Sequence, residues 1–511
     1  MTGQIVDLSA TRAAADAVVD VLVVGSGCGG ATAARTLAQA GRDVLVLEEG
    51  GDFTGRQLTQ RDGAMYDQLY MDRAGRSTSD LSISVMQGRV LGGGGVINTC
   101  DVVPIGDATL ETWRRRFGLT DFTTEALAPH RARALRDLAA TPIPEAALNA
   151  NNRLLRQGTE ALGWRGEVML NNRLGCAGLG TCLIGCPANA KRNPRFVAIP
   201  QALEAGARFW TRARALRLEG ASGELKTVEL GVLDPRGHRV GEHLRVRART
   251  VILAANAIES AALLIRSGLG NEHVGRHLSL QPQLPIVARF DHDVIAFRGI
   301  PQAYGVTEFE EPAHPEHGWW GFRIESISGT PGIVGTILPW LGEVGKERMR
   351  DYPRFASALQ LFPDEPSGRV RVERSGRLRI DYTLGEELLG RARAAIKASA
   401  RIYLAAGARD VVVVAPEPLL IRRESDLGAV DGLRFEPATM PWISAHQQGT
   451  VRFAPSQADG GADPAGQVYG TRGVYVFDSS GFPTSSSSHT MAPILTVSEH
   501  LSQRLLATLP S

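Results

Sequence analysis

Cysteine is scarce in this chain, and its count is odd. Five cysteines occur among 511 residues. A secreted protein built on a disulfide framework would use paired cysteines, so the count argues against that class and favours a cytoplasmic location. Residues 1–20 also lack the basic start, apolar stretch and small-residue cleavage site of a secretory signal.

Long hydrophobic runs and an excess of one charge are missing as well. No run reaches the roughly 18 consecutive apolar residues that a transmembrane helix needs. Lys plus Arg number 56 against 54 for Asp plus Glu, and the basic residues are scattered along the chain. We therefore expect neither nucleic acid nor an anionic membrane surface as a partner. The length predicts two domains, and the ordinary composition favours a folded protein that acts on a small molecule.

A nucleotide-binding motif occupies residues 19–50. The valine-rich segment at 19–24 predicts a buried strand, and the small residues after it predict a helix that packs close to a sheet. Between them lies G-x-G-x-x-G, whose glycines make the turn, admit a pyrophosphate and allow close helix packing. The candidate phosphate-binding residues are Gly25, Ser26, Gly27, Gly29 and Gly30.

A second apolar strand follows and ends in an acidic residue. Glu48 lies eighteen residues after Gly30, where a carboxylate can accept hydrogen bonds from a ribose diol. The strand, turn, helix and acid together predict a dinucleotide site. The motif alone leaves NAD and FAD open.

Four later segments resemble one known family. They are "GRVLGGGGVIN" (88–98), "VILAANAIESAALLIRSGLG" (251–270), "SAHQQGTVRF" (444–453) and "GVYVFDSSGFPTSSSSHTMAPILT" (473–496). In this order after the nucleotide motif, they resemble the glucose-methanol-choline (GMC) family of flavin-dependent alcohol oxidoreductases along nearly the whole chain.

The resemblance implies FAD as the cofactor. It assigns Gly92 and Gly93 to the flavin loop and places Asn98 near the isoalloxazine ring. Asp478 and Ser479 would lie at a strand end beside the phosphates and the ribityl chain. Neither residue 96 nor residue 97 is a histidine, so we expect the FAD to be bound non-covalently.

The resemblance also implies the chemistry. Alcohol oxidation removes the hydroxyl proton and transfers the carbon-bound hydrogen as hydride to the flavin. Histidine suits the proton step because its ordinary pKa is near 6.5. His446 and His489 match the two active-site positions of the family. We expect His446 to be the general base and His489 to hold the alcohol oxygen and stabilise its developing charge.

The predicted fold is α/β, a Rossmann-like FAD domain joined to an α+β substrate domain on an antiparallel sheet. Alternating stretches such as "LPIVARF" and "RFASALQLF" predict antiparallel strands in the second half, and "RVRVERSGRLRIDY" predicts a hairpin. The expected divisions are 18–275 for the first part of the FAD domain, with a helical cover at 101–165, then 276–439 for the substrate domain and 440–511 for the return to the FAD domain.

Three cysteines within eleven residues raise the question of a cluster. Cys176, Cys182 and Cys186 form C-x5-C-x3-C-P, which resembles the pattern of GMC sugar dehydrogenases that carry a three-iron cluster. Other relatives have a Cys-rich stretch here without a cluster, and three close thiols can simply pack. The non-cysteine residue Leu179 and the cytoplasmic location favour packed thiols over the cluster.

The leading expectation is an FAD-dependent enzyme that oxidises a primary or secondary alcohol. Within the family, two alternatives remain: a lyase that keeps the flavin without redox chemistry, as hydroxynitrile-cleaving relatives do, and a sugar dehydrogenase with an iron-sulfur cluster. A flavin-binding protein without turnover and an NAD-dependent dehydrogenase are the more distant alternatives. The identity of the alcohol, the choice between oxygen and another electron acceptor, and the oligomeric state stay open.

Overall fold

A mixed sheet forms the nucleotide-binding half of the protein. The computed structural model describes residues 3–11 and 17–509. The seven strands of the main path run in the order Ile5–Asp7, Arg208–Thr211, Val44–Leu47, Ala17–Val24, Arg239–Leu253, Lys226–Leu233 and Ala213–Glu219. An eighth strand, Val474–Val476, pairs in parallel with Arg239–Leu253 and returns from the far end of the chain.

The predicted strand, turn and helix at the nucleotide motif are confirmed. Ala17–Val24 pairs in parallel with Val44–Leu47, and helix Cys28–Gln39 makes the crossover between them. Residues 44–47 are buried throughout, as a strand covered on both faces requires. Gly25 ends the first strand with φ of 101°, a left-handed conformation that favours glycine.

A second, largely antiparallel sheet forms the other half. Its main path runs in the order Leu419–Ile421, Asp410–Val413, Gln283–Arg289, Phe355–Leu361, Arg323–Ser326, Tyr304–Val306 and Gly166–Val168. Trp442–Ser444 joins this sheet beside Gln283–Arg289 and pairs in parallel with Ile83–Val85. The sheet thus draws on strands outside 276–439, and the exact domain divisions stay a prediction.

Short hairpins and helices complete the described chain. Two-stranded pairs are Thr141–Pro142 with Leu170–Asn171, Glu310–His314 with Gly318–Gly321, and Arg369–Val372 with Leu378–Asp381. The last of these is the hairpin predicted from the sequence. The α-helices are Cys28–Gln39, Asp62–Leu69, Asp107–Phe117, Thr124–Asp137, Ala150–Ala161, Ala198–Glu204, Asn256–Ser267, Pro331–Ile337, Gly342–Met349, Glu386–Ala405 and Met491–Leu506. Across the residues described, none of these helices has the length and apolar character to cross a membrane.

The folding pattern places one cavity between the two sheets. The carboxyl ends of Ala17–Val24 and Val474–Val476 approach it from one side, and Gln283–Arg289 and Phe355–Leu361 contribute side chains from the other. Ligands of open α/β sheets bind outside the carboxyl ends of the strands, so the predicted nucleotide site and the second sheet face the same space.

Candidate active site

The cavity between the sheets has a volume of about 620 Å³ and contains nearly all the predicted site residues. Its lining includes Gly25, Ser26, Gly27, Gly29, Glu48, Gly93, Asn98, Asp478 and Ser479, together with His446 and His489. Gly30 and Gly92 do not line it. The backbone oxygen of Gly25 packs against Gly30, and Arg195 packs against Gly92, so these two glycines shape the loops from behind.

The glycine loop forms a cradle that fits a dinucleotide. A Cβ added at Gly29 would collide with the backbone oxygen of Phe477, so this glycine is required by the fold itself. A Cβ added at Gly27 would meet nothing closer than the Cα of Gly93, at 3.9 Å. The space beside Gly27 is open to a ligand, as the predicted role beside a pyrophosphate requires.

Ser26 connects the nucleotide motif to the flavin loop. Its backbone N and its Oγ donate to Glu48 Oε2 at 3.1 and 2.5 Å, and its Oγ accepts from the backbone N of Gly92 at 3.0 Å. Burial raises the pKa of Glu48, and these hydrogen bonds oppose the shift. The loop of Ser26, the strand end at Glu48 and the flavin loop at Gly92 are therefore held together around the predicted ribose position.

The returning segment is anchored in the same way. Asp478 accepts from Ser260 Oγ at 2.6 Å and from the backbone N of Ser480 at 2.9 Å, while Ser479 Oγ donates to the backbone oxygen of Gln447 at 2.7 Å. Asn98, at the end of the flavin loop, donates to Met491 Sδ at 3.3 Å. The contact of Ser479 with Gln447 places the loop of His446 beside the predicted flavin position. The contact of Asn98 with Met491 places the first turn of the last helix, just after His489, beside the same position.

His446 and His489 lie side by side in the cavity. Their ring centroids are 5.2 Å apart with the planes at 74°. His446 follows strand Trp442–Ser444, and His489 precedes helix Met491–Leu506. The Nδ1 atom of His446 is 3.0 Å from Gln283 Nε2, so a residue of the second sheet holds the first imidazole.

A buried carboxylate holds the second imidazole. Glu325 is fully buried, and its Oε2 and Oε1 lie 2.9 and 3.1 Å from His489 Nε2. The Nε atom of Arg323 donates to Glu325 at 2.6 Å, and Gln302 also donates to this carboxylate. Burial raises the pKa of Glu325, but the charges of His489 and Arg323 outweigh it and lower the pKa to about 2.

The pKa values of the two imidazoles are shifted in opposite directions. Burial lowers the pKa of His489, but the carboxylate of Glu325 outweighs burial and raises it above its ordinary value. Burial lowers the pKa of His446 to about 3, and the neighbouring charge of His489 adds to the shift. Burial thus favours the neutral form of His446, whereas Glu325 favours the imidazolium form of His489.

Asp101 is a further acidic group at this site. It is 3% exposed and lines the cavity, and neither of its side-chain oxygens has a hydrogen-bond partner. Burial raises its pKa to about 7, against the opposing influence of His489. The sequence reasoning missed this residue, which directly follows the flavin loop.

The part of the cavity away from the nucleotide loop is apolar. Leu359 and Leu361 of the second sheet line it together with Ile333, Val334 and Ile337 of helix Pro331–Ile337. These helix residues are half-buried. The arrangement fits a substrate that presents a polar end to the histidines and an apolar body to the helix.

Comparison with known proteins identifies the family. Residues 20–283 and 364–498 match the N-terminal and C-terminal parts of the GMC oxidoreductases. The chain belongs to the GMC oxidoreductase family. It is therefore an FAD-dependent oxidoreductase acting on alcohol-type donors, and the predicted family, fold class, enzyme class and cofactor are confirmed.

Relatives of this GMC oxidoreductase cover most of its length. It is 34% identical over 470 residues to an uncharacterised GMC-type oxidoreductase of Mycobacterium tuberculosis, covering 91% of this chain and 72% of that protein. It is 26% identical over 510 residues to a long-chain-alcohol oxidase of Arabidopsis thaliana, covering 95% and 66%.

Solved structures share the fold. Pyridoxine 4-oxidase from Mesorbium loti superposes with a TM-score of 0.70 at 17% identity, over 96% of this chain and 100% of that one. A formate oxidase variant from Aspergillus oryzae gives a TM-score of 0.71 at 16% identity, over 97% and 99%.

The three cysteines of the predicted cluster motif lie outside the cavity lining. Cys176 is exposed, and Cys182 and Cys186 are partly exposed. Within residues 3–11 and 17–509, no group of three or more Cys, His, Asp or Glu side chains is arranged to hold a metal ion. The geometry of the described chain therefore gives no support to the cluster of a sugar dehydrogenase.

Two polar partners of the histidines were also missed from the sequence. Gln283 lies on a mainly apolar strand, Gln283–Arg289, and Glu325 lies on the mixed strand Arg323–Ser326. For Glu325 a signal exists: strand Arg323–Ser326 carries opposite charges two residues apart, hence on one face, and all four of its residues are buried. Such a pair needs partners, but the sequence does not say that one partner is His489.

Proposed function

We propose that this GMC oxidoreductase oxidises an apolar primary or secondary alcohol to the carbonyl compound, with His446 as general base. FAD, when bound, supplies the acceptor for the carbon-bound hydrogen, which leaves as hydride. The observation that carries the proposal is that the imidazoles of His446 and His489 lie side by side, 5.2 Å apart, in a cavity that is also lined by aliphatic side chains.

The two imidazoles divide the work on the alcohol oxygen. As an imidazolium, His489 donates Nε2–H to Glu325 and keeps Nδ1–H for the alcohol oxygen, where it stabilises negative charge. His446, being neutral, accepts the hydroxyl proton. The nearby Asp101 carboxylate contributes a further negative charge that favours the imidazolium form of His489.

Gln283 sets the tautomer that His446 uses. The amide nitrogen of Gln283 faces Nδ1 at 3.0 Å and directs the ring proton to Nε2. The proposed base role needs the opposite amide orientation, in which the Gln283 oxygen faces the ring and places its proton on Nδ1. In that orientation the lone pair of Nε2 is free to take the proton of the alcohol.

The apolar wall supports a substrate with an aliphatic body. The side chains of Ile333, Val334 and Ile337 offer no hydrogen-bond partner to the hydroxyl groups of a sugar. The name of the Arabidopsis relative, a long-chain-alcohol oxidase, agrees with such a substrate and with oxygen as the electron acceptor. We therefore propose a long-chain aliphatic alcohol and oxygen.

Anaerobic mixing of the yellow holoenzyme with an aliphatic alcohol tests the proposal. We expect the flavin absorbance to bleach and an aldehyde or ketone to form in equal amount. In His446→Ala the bleaching rate should fall by about a hundredfold or more while FAD stays bound. The matched control is His238→Ala, since His238 is a well-exposed histidine outside the cavity.

Two outcomes would contradict the proposal. Product formation while the flavin stays oxidised would indicate the lyase alternative. Near-normal bleaching in His446→Ala would reject this residue as the base.

A further inference from the structure

Asp101 has an unsatisfied side chain in the wall of the cavity. The residue is 3% exposed and lines the cavity. Within the part of the chain that the structure describes, no group donates a hydrogen bond to its Oδ1 or Oδ2 atom. A buried carboxylate without donors is costly, because its oxygens have lost the water that would otherwise solvate them. A ligand in the cavity can supply the missing donor.

The strip of chain that carries this carboxylate runs alongside the segment of the second histidine. Asn98 Nδ2 donates to Met491 Sδ at 3.3 Å, and Ser487 Oγ donates to the backbone oxygen of Val103 at 3.3 Å. The earlier residue of each segment contacts the later residue of the other, so the two segments run in opposite directions. This arrangement places the buried carboxylate across from His489.

A donor bound at Asp101 is therefore close to the alcohol oxygen. Asp101 and His489 both line the cavity. The Nε2 atom of His489 is taken up by Glu325 at 2.9 Å, which leaves its Nδ1 atom for the alcohol. The donor that Asp101 needs thus belongs to the same end of the substrate as the hydroxyl group that reacts.

A neighbouring cation restricts the kind of donor. Asn171 pairs with Asp101 in an antiparallel bridge, and Arg173 follows two residues later, which puts its side chain on the same side as the carboxylate. The guanidinium is always charged, so it would repel an ammonium group bound at Asp101. A hydroxyl group avoids this repulsion, since it is neutral and can donate to a carboxylate.

The rest of the cavity defines the body of the same ligand. Ile333, Val334 and Ile337 line the part away from the nucleotide loop with side chains that have no donor or acceptor. A substrate with polar groups along its whole length would leave those groups unpaired there. Two hydroxyl groups therefore fit on neighbouring carbons at one end, with an alkyl chain behind them.

We propose that Asp101 binds a second hydroxyl group of the substrate, on the carbon next to the one that is oxidised. The preferred substrate is then an alkane-1,2-diol rather than the corresponding simple alcohol. This role of Asp101 rests on the function proposed above, because the first hydroxyl group is the one that His446 and His489 hold. A hydrogen bond to a charged acceptor should improve the affinity for the diol by about tenfold or more.

Binding to reduced holoenzyme tests this role without turnover. Dithionite reduces the flavin under nitrogen, which leaves no acceptor for a hydride, and octan-1-ol or octane-1,2-diol is then titrated by isothermal titration calorimetry. We expect the dissociation constant of the diol to be lower by about tenfold or more. The amino alcohol 2-aminooctan-1-ol, which offers an ammonium group on the same carbon, should bind more weakly than the diol.

Substitutions at Asp101 assign the preference. In Asp101→Leu no acceptor remains, so the two dissociation constants should agree within about twofold. Asp101→Asn keeps one oxygen and should show an intermediate preference. Comparing two ligands in one variant cancels general effects of the substitution on the cavity, and bound FAD, read from the yellow absorbance before reduction, verifies the fold. The matched control is Asp107→Asn, since the side chain of Asp107 is 61% exposed and does not line the cavity.

The binding data and the oxidation data can be separated. If neither compound bleaches oxidised holoenzyme, the function proposed above is contradicted, while the dissociation constants still decide the role of Asp101. Equal affinities of wild-type protein for the diol and the alcohol would overturn this role. A preference for the diol that persists in Asp101→Leu would overturn it too, as would tighter binding of the amino alcohol than of the diol.

Discussion

His489 Nε2 lies 2.9 Å from Glu325 Oε2, and this carboxylate raises the pKa of the imidazole. Burial alone would lower the pKa of His489, as it lowers the pKa of His446. Glu325, with a smaller contribution from Asp101, therefore makes two adjacent histidines chemically different.

Replacing Glu325 with glutamine should shift the pH profile of the enzyme. A raised pKa means that the imidazolium of His489 persists to higher pH and is lost as the pH rises through that value. In Glu325→Gln the pKa of His489 falls, so the alkaline limb of the flavin-reduction rate should move to lower pH by about one unit. Stopped-flow reduction at a series of pH values measures this shift.

The control for this experiment is Glu311→Gln, since Glu311 is an exposed acid on the strand Glu310–His314. Arg323 keeps Glu310 and Glu167 as partners in Glu325→Gln, so the fold should survive. An alkaline limb that stays in place would show that Glu325 does not set the charge of His489.

Gly27→Ala should separate folding from FAD binding. The added methyl group meets no protein atom closer than 3.9 Å and the φ of Gly27 is −67°, so the chain tolerates it. The methyl group would enter the space predicted for the pyrophosphate. We expect a folded protein with at least tenfold weaker FAD affinity, measured by titrating apoprotein with FAD and following its fluorescence.

Gly390→Ala is the matched control, because Gly390 lies in helix Glu386–Ala405 with open space around it. Its FAD affinity should be unchanged, and its free energy of unfolding should rise by about 0.5 to 1 kcal/mol, as for other glycines in helices. Full FAD affinity in Gly27→Ala would contradict the assignment of the cradle.

Ile333→Asn should impair long substrates selectively. Ile333 lines the apolar part of the cavity, where its burial against an alkyl chain is worth about 1.5 kcal/mol. We expect KM for a long-chain alcohol to rise about tenfold, with little change for a short alcohol. Steady-state kinetics over a series of chain lengths measures the effect.

Val344→Asn serves for comparison, since Val344 is 51% exposed on helix Gly342–Met349 and does not line the cavity. Equal changes in KM for short and long alcohols in Ile333→Asn would show that this helix does not contact the substrate.

Much of the nucleotide-binding half could be predicted because its signals are local. The turn at Gly25 needs a residue that adopts a left-handed conformation, and the buried strand Val44–Leu47 needs a continuous apolar run. Both requirements are visible in a few consecutive residues. The hairpin Arg369–Val372 with Leu378–Asp381 was predictable for the same reason. His446 and His489 were found through the family resemblance, since nothing in their immediate neighbours marks a histidine as catalytic.

The sequence by itself determined the nucleotide motif, the order of the segments and the two histidines that face the cavity. Only the tertiary structure decided that Glu325 pairs with His489 and that Gln283 holds His446. The physical reason is that charge and reactivity at a buried group depend on neighbours within a few ångströms. Those neighbours come from strands and loops far apart in the chain, so no local sequence pattern indicates them.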